Sequence, residues 1–310
     1  DQMCCGTVTK RAGRVGLGYL LNAHGMLKGE ATIANIPASD RGSDRVWYGS
    51  AAASEYHDMD WLSAHLQPGE DVHLRSLTND HTILVLSGPK ARAVLEDCAR
   101  GDWSATAFPW LSVRECFVGF APATVMSVSF SGELTYEIHV PNASLYAAYL
   151  ALREAGNAHG MKLFGARAVD SMRMEKGFLH WKADLITEFD PFETGLSRFV
   201  KLDKGEFVGK DALLQRQANG PGKQFVPFKI DASHAPAHAG ASLMQGEKVV
   251  GTVTSADWGH RLGMNLAHAF VDPSLSGVGS VIEVDMCGNL VAAEVIAPSP
   301  YDSKFSRMRS

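Results

Sequence analysis

Residues 129–140 read SFSGELTYEIHV and set one carboxylate, Glu137, where its direction decides its chemistry. Tyr136, Ile138 and Val140 alternate with Glu137 and His139, the period-two pattern of a strand with one buried face. Ser131-Gly132 just before it is a turn signal. Glu137 is therefore either an ordinary solvent-facing carboxylate or a charged acceptor aimed into a ligand pocket. The local pattern favours the solvent-facing reading, because charged residues on the wet face of a strand are the norm.

Several other chemistries lack their residues. No GxGxxG opens a βαβ unit, and although Gly13, Gly16 and Gly18 are close together, the third spacing fails. GxxxxGK[ST], HExxH and GxSxG are absent, and the twelve histidines form no ligand-spaced cluster, so no metal site is expected. The five cysteines, Cys4, Cys5, Cys98, Cys116 and Cys287, are odd in number and scattered, with no CxxC. They read as free, mostly buried thiols in a reducing compartment.

The elements that must position such residues follow from periodicity. Residues 17–36 read as strand, turn, strand, with His24-Gly25 at the bend. VWYGSAA is strand-like and runs into an amphipathic helix containing Trp61, Leu62 and Leu66. TILVLSGPKARAVLEDC is a buried strand, a turn, and a helix with Ala91, Val94, Leu95 and Cys98 on one face. A strand near 124–130 leads into SGELTYEIHV. Helices are expected over 144–160, starting near Ser144 with Gly160 past its end, and over 166–177. ANGPGKQ, near 218–224, is a linker by composition. Beyond it FVPFKI, VVGTVTS, LAHAFV, VIEVDM and LVAAEVI suggest a small antiparallel β barrel. The class is α+β, with one domain over 1–217 and the barrel over 218–310. The chain has 310 residues and a net charge of -5, which gives no electrostatic reason to expect nucleic acid or an anionic membrane surface. No apolar run approaches the roughly 18 residues that span a bilayer.

Five collinear segments resemble one family. DSMRMEKG (170–177) resembles the DSLRLE-G helix of the aminomethyltransferases, the folate-dependent T-protein of the glycine cleavage system and its relatives. SGELTYEIHV resembles that family's TGE-GxE strand, and LLNAHGMLKGEATI (20–33) its LLN hairpin. FDPFETGLSRFVKLDKGEFVGKDAL (189–213) resembles its PxExGL and FxGKxAL runs, and GTVTSADWG (251–259) its C-terminal GxVTSG barrel. The resemblance covers essentially the whole chain. It looks closest to the C-terminal, folate-binding half of dimethylglycine and sarcosine dehydrogenases, where this region follows a flavin-binding domain. PSPYDSKFSRMRS resembles the tail of bacterial members of that group. The chain starts without Met and nearer the LLN hairpin than family members do. It reads as a fragment or subunit lacking the first part of the folate domain.

The resemblance implies a three-subdomain cloverleaf around tetrahydrofolate, with FAD only on an absent or partner flavin domain. It implies one-carbon transfer to give 5,10-methylenetetrahydrofolate, from an iminium or formaldehyde unit left by oxidative N-demethylation. A stand-alone glycine cleavage T-protein and a non-catalytic folate-binding module are the alternatives. The second is disfavoured in its KGCxxGQ form, because Phe178 stands where that cysteine would be. The expected location is cytoplasmic, or the mitochondrial matrix in a eukaryote. Glu137 falls where the family places the carboxylate that meets the two parallel donors of a pterin. Arg173 falls on the folate-contacting arginine, with a local pairing to Asp170 or Glu175 as the alternative. Glu30 falls on the catalytic acidic position, where a carboxylate orients the folate nitrogens and moves protons. Phe130, Tyr136 and Trp181 complete the implied cofactor-binding set. Strict alignment puts Leu17, rather than Tyr19, at the aromatic position before LLN. Lys28-Gly29 departs from the family pattern. Asp184 is a lesser candidate, Glu193 is expected to be structural, and Trp258 and His260 either cap the pocket or belong to a surface loop.

Overall fold

The computed structural model describes residues 1–37 and 45–310. The first hairpin forms as its alternation requires: β1 (Arg14–Leu21) pairs antiparallel with β2 (Leu27–Ile36), and β3 (Arg45–Gly49) adds along β2. Asn22 closes the bend, its side-chain oxygen accepting the N–H groups of His24 at 2.9 Å and Met26 at 3.1 Å. Gly25 supplies φ +77° there, a value open to glycine without steric cost. Helix α1 (Glu55–Ala64) follows, and its buried residue is Asp58. Leu66 lies beyond the helix and is exposed, while Trp61 packs beside Cys4, Leu20 and Ile33.

A second unit is a four-stranded antiparallel sheet. It is built from β4 (His81–Ser87), α2 (Ala91–Cys98), β5 (Val113–Val118), β6 (Ala121–Met126), β7 (Thr135–Pro141) and α3 (Leu145–Ala158). The strand order is β4-β7-β6-β5. One sheet face carries Leu86, Val125, Tyr136, Ile138 and Val140 against Val94 and Leu95 of α2 and Ala148 and Leu152 of α3. Full burial of each large apolar side chain in such a layer stabilises by about 1.5–3 kcal/mol. Two sequence expectations change here. TILVLS reads as a buried strand, but β4 is an edge strand and leaves Ile83 and Val85 about half exposed. The strand expected to 130 stops at Met126 and pairs with β5, which the pattern does not reveal.

Helix α4 (Ala166–Lys176) ends at Gly177, which takes φ +71°. A Cβ there would overlap the carbonyl of Pro298, so this helix end admits only glycine. Helix α5 (Lys210–Asn219) then leads to the barrel. Its strands are β8 (Gln224–Ile230), β9 (Ser242–Gln245), β10 (Lys248–Gly259), β11 (Met264–Val271), β12 (Val281–Met286) and β13 (Asn289–Val295). They close in the order β10-β11-β8-β13-β12-β9, and closure leaves no sheet edge to aggregate. Phe228, Val284, Ala269 and Ala293 fill the interior. Five of the six strands follow the expected runs, while β9 is four residues long and carries no clear alternation. All five cysteines are free: Cys4 and Cys5 are buried, Cys98 and Cys116 half-buried, and Cys287 exposed.

Candidate functional site

Glu30 and Tyr19 are direct cross-strand partners in the β1–β2 pair. Both point to the side where Tyr19 packs with Leu21, Leu27, Leu185 and Leu196 and meets the ring of Phe199 at 5.0 Å. Burial pushes the Glu30 carboxyl up to about 7, and the Tyr19 hydroxyl beside it favours the charged form. The tyrosine is held well above its usual range by its own burial first and by Glu30 second. Leu17 instead lies opposite Thr32 and is exposed, whereas Tyr19 is buried beside Glu30. The departure at Lys28-Gly29 has a structural reason. Leu21 pairs with Leu27 and Leu20 with Gly29, which leaves Lys28 as the extra residue of a β-bulge. Its ammonium sits 4.3 Å from the Trp61 ring centre and 2.9 Å from His57 Nε2, on α1. His57 Nδ1 in turn meets Asp58 Oδ1 at 3.2 Å.

Arg173 is buried on α4, and its partner is neither Asp170 alone nor Glu175. Its Nη1 donates to Asp184 Oδ2 at 2.6 Å and to the Phe178 carbonyl at 3.3 Å, while Asp170 Oδ1 stands 3.8 Å from Nε. Nε has no hydrogen-bond partner among the described residues. The segment after α4 thereby gathers several expected residues. Phe178 lies parallel to Phe130 at 6.4 Å, and His180 lies 6.3 Å from the same ring. Trp181 is buried, packs in the Tyr19 cluster and donates its indole N–H to Ser54 Oγ at 2.9 Å. Burial alone would raise the Asp184 carboxyl, but His268, Arg173 and Thr254 together hold it well below the usual carboxylate range.

Glu137 makes no hydrogen bond to this group among the described residues. It lies on β7 opposite Val85 and Met126, partly exposed, with His139 Nε2 3.4 Å from its Oε2. His139 is buried against the edge of Trp47, 5.1 Å away, so this sheet face meets the first unit. Tyr136 does not share the face. Strand alternation turns it into the α2–α3 core, fully buried and 6.1 Å from Phe108, which corrects its assignment to the cofactor-binding set. Burial raises its hydroxyl to about 12.

Glu193 is a structural residue. Its Oε1 accepts the N–H groups of Gly222 at 3.2 Å and Lys223 at 3.1 Å, fastening the approach to the barrel. The carbonyl of Trp258 accepts the Ser171 hydroxyl at 2.5 Å, which docks β10 on α4. His260 is exposed, and its neighbour Arg261 makes the contacts of that hairpin. Arg261 pairs with the fully buried Glu175, reaches Glu133 Oε1 at 2.8 Å, and donates to the carbonyls of Ser131 and Met172. Lys176, also buried, donates to the carbonyls of Tyr301 at 3.2 Å and Asp302 at 2.5 Å. Arg261 lies two residues past GTVTSADWG and has no local pattern that marks it, because its partners are 86 and 128 residues away.

The two sheet units and the closed barrel make the three-part aminomethyltransferase-like fold. Residues 1–204 match the family model of the GCVT N-terminal domain, and residues 223–302 that of the Glycine cleavage T-protein C-terminal barrel domain. The chain belongs to this family. It is 30% identical over 298 residues to mitochondrial dimethylglycine dehydrogenase of Rattus norvegicus, a match covering 96% of this chain and 34% of that protein. It is 28% identical to human mitochondrial sarcosine dehydrogenase, covering 100% of this chain and 35% of that protein. The aminomethyltransferase of Bacillus subtilis (strain 168) is 27% identical, with 87% of this chain and 74% of that protein covered. The chain thus spans about a third of the length of the dehydrogenases. Aminomethyltransferase T of the glycine cleavage system from Bartonella henselae superposes with a TM-score of 0.82 at 22% identity, over 94% of this chain and 77% of that one. No helix among the described residues is long and apolar enough to cross a membrane.

Proposed function

We propose that the chain transfers a one-carbon unit at the formaldehyde level to tetrahydrofolate, giving 5,10-methylenetetrahydrofolate. The observation that carries this reading is Glu30: a half-buried residue whose carboxyl is raised to about 7 beside a tyrosine, ready to hold or release a proton near neutral pH. Other residues fit a folate. Arg173 Nε is a buried donor without an acceptor among the described residues, and Glu137 offers a partly exposed oxygen pair. When bound, tetrahydrofolate would supply the two amine nitrogens that take up the carbon. Glu137 accepts the paired donors of the pterin and fixes its orientation. Arg173 directs its remaining donors at a carbonyl or carboxylate of the same ligand. Glu30 would take a proton from the folate amine and return it to the leaving group, and the Tyr19 hydroxyl favours its charged form.

The similarity to dimethylglycine and sarcosine dehydrogenases supports an upstream oxidative N-demethylation on a flavin-binding domain or partner. Folate-analogue titration tests the site. Weakened binding in Glu137→Gln and Arg173→Ala is expected, and unchanged binding in both would sink the assignment. A second reading, a stand-alone glycine cleavage aminomethyltransferase, is favoured by the 74% coverage of the B. subtilis enzyme. Activity with an aminomethyl-lipoyl carrier, and none coupled to a demethylating flavoprotein, would select it.

A further inference from the structure

Asp184 is fully buried, and its two oxygens collect donors from separate parts of the fold. Oδ2 accepts Arg173 Nη1 at 2.6 Å and the backbone N–H of His180 at 2.9 Å. Oδ1 accepts the hydroxyl of Thr254, on β10. His268, on β11, places Nδ1 3.6 Å from Oδ2; it is fully buried, with its ring 5.1 Å from that of Phe225. Neither of its ring nitrogens has a hydrogen-bond partner among the described residues. The barrel wall thus presents a hydroxyl and an imidazole to the carboxylate that holds Arg173.

Thr254 is the extra residue of a bulge between β10 and β11, and its hydroxyl also lies 3.2 Å from the His268 carbonyl, so Asp184 Oδ1 is the closer of two acceptors for its one proton. The barrel closes through backbone ladders, and valine matches threonine in shape while lacking the donor. What the hydroxyl does is fix rotation. With Oδ1 tied to Thr254, Oδ2 is the oxygen presented to Nη1, and the planar guanidinium fork then has a set direction for Nε and Nη2. Without the tie the carboxylate is held on its Oδ2 side alone, by the His180 N–H and by Arg173 itself, and the direction of the fork is less closely set.

We propose that the barrel aims Arg173 at its ligand through Asp184, with Thr254 as the positioning residue. This rests on the reading of Arg173 as a folate ligand. Thr254 acts on binding from the second domain without touching the ligand, and it gives the threonine of GTVTSADWG a role in the site.

The test is a binding titration of the whole chain with 5-formyltetrahydrofolate. It compares the unsubstituted protein, Thr254→Val, Thr254→Ser, Arg173→Lys and the Thr254→Val/Arg173→Lys double variant, with thermal midpoints measured alongside. Thr254→Val weakens binding about tenfold, as expected for a lost hydrogen bond to a charged group. Thr254→Ser restores affinity to within about twofold, since the hydroxyl returns. In the Arg173→Lys background Thr254→Val has less than about a twofold effect, because the fork it aims is gone. Unchanged binding in Thr254→Val, or an equal loss in the Arg173→Lys background, overturns the inference alone. Absence of binding by the unsubstituted chain overturns the functional reading and this inference with it.

Discussion

Tyr19 and Glu30 face each other across the β1–β2 hairpin, and loss of solvent around the half-buried glutamate raises its carboxyl to about 7. Glu30→Gln is expected to lower one-carbon transfer by about 10²- to 10⁴-fold, the usual contribution of a positioned acid–base group. Steady-state rates at pH 7 with saturating folate check it, and a rate within twofold of the original would remove Glu30 from the chemistry.

The same carboxyl has a stability signature. Its folded value exceeds its ordinary value of 4.5, so the folded state holds the proton more tightly. Its favourable contribution is complete below about 4.5 and is lost as pH rises through about 7, a change on the order of 3 kcal/mol. Glu30→Gln should therefore raise the thermal midpoint at pH 8 and leave it nearly unchanged at pH 4.5. Equal shifts at both pH values would contradict the burial argument.

Tyr19→Phe removes the hydroxyl that favours the charged form of Glu30. The acid limb of the pH–rate profile should move to higher pH, with a several-fold loss of rate at pH 7. A profile superimposable on the original would show that the hydroxyl does not act on the carboxyl.

Asp184 behaves in the opposite sense from Glu30. Its carboxyl is held below the usual range, so its stabilisation is present above about pH 4 and is lost as the medium becomes more acid. Asp184→Ala leaves the buried Arg173 charge uncompensated and should cost about 3–5 kcal/mol. Urea titration at pH 7 measures this; a loss under about 1 kcal/mol would mean that the pair is not what holds the segment after α4.

Glu193→Ala removes an acceptor from the N–H groups of Gly222 and Lys223 and should cost about 1–3 kcal/mol. Folate-analogue affinity should stay within about twofold. A loss of affinity far exceeding the loss of stability would give Glu193 a place in the site.

Much of the scaffold was legible because it is local. The LLN hairpin, α2, α3, α4 and five barrel strands each announce themselves through period, turn residues or a terminal glycine. β5 is hidden in the sequence because VRECFV puts two charges side by side and lacks a strict alternation, and the exposure of β4 is hidden because sheet position decides which apolar strands are buried. Motifs mark Glu30, Glu137 and Arg173 as candidates, and their roles rest on the proposed function. Tyr136 was misplaced although its alternation with Glu137 already turned it to the other face. Thr254, His268 and Arg261 act on residues 70 or more positions away, and no local pattern reports such a pairing.

The ion pair between Glu175 and Arg261 bears on how the protein comes into being. Glu175 is fully buried at the end of α4, yet its partners, the Arg261 side chain and the N–H groups of Arg261 and Leu262, all belong to the β10–β11 hairpin. During synthesis the carboxylate leaves the ribosome well before that hairpin exists. Until then the carboxylate has none of its native partners. The segment at 220–223 therefore joins two lengths of chain that share one buried ion pair, and cutting there should yield an N-terminal piece whose Glu175 carboxylate is left without its partners and uncovered.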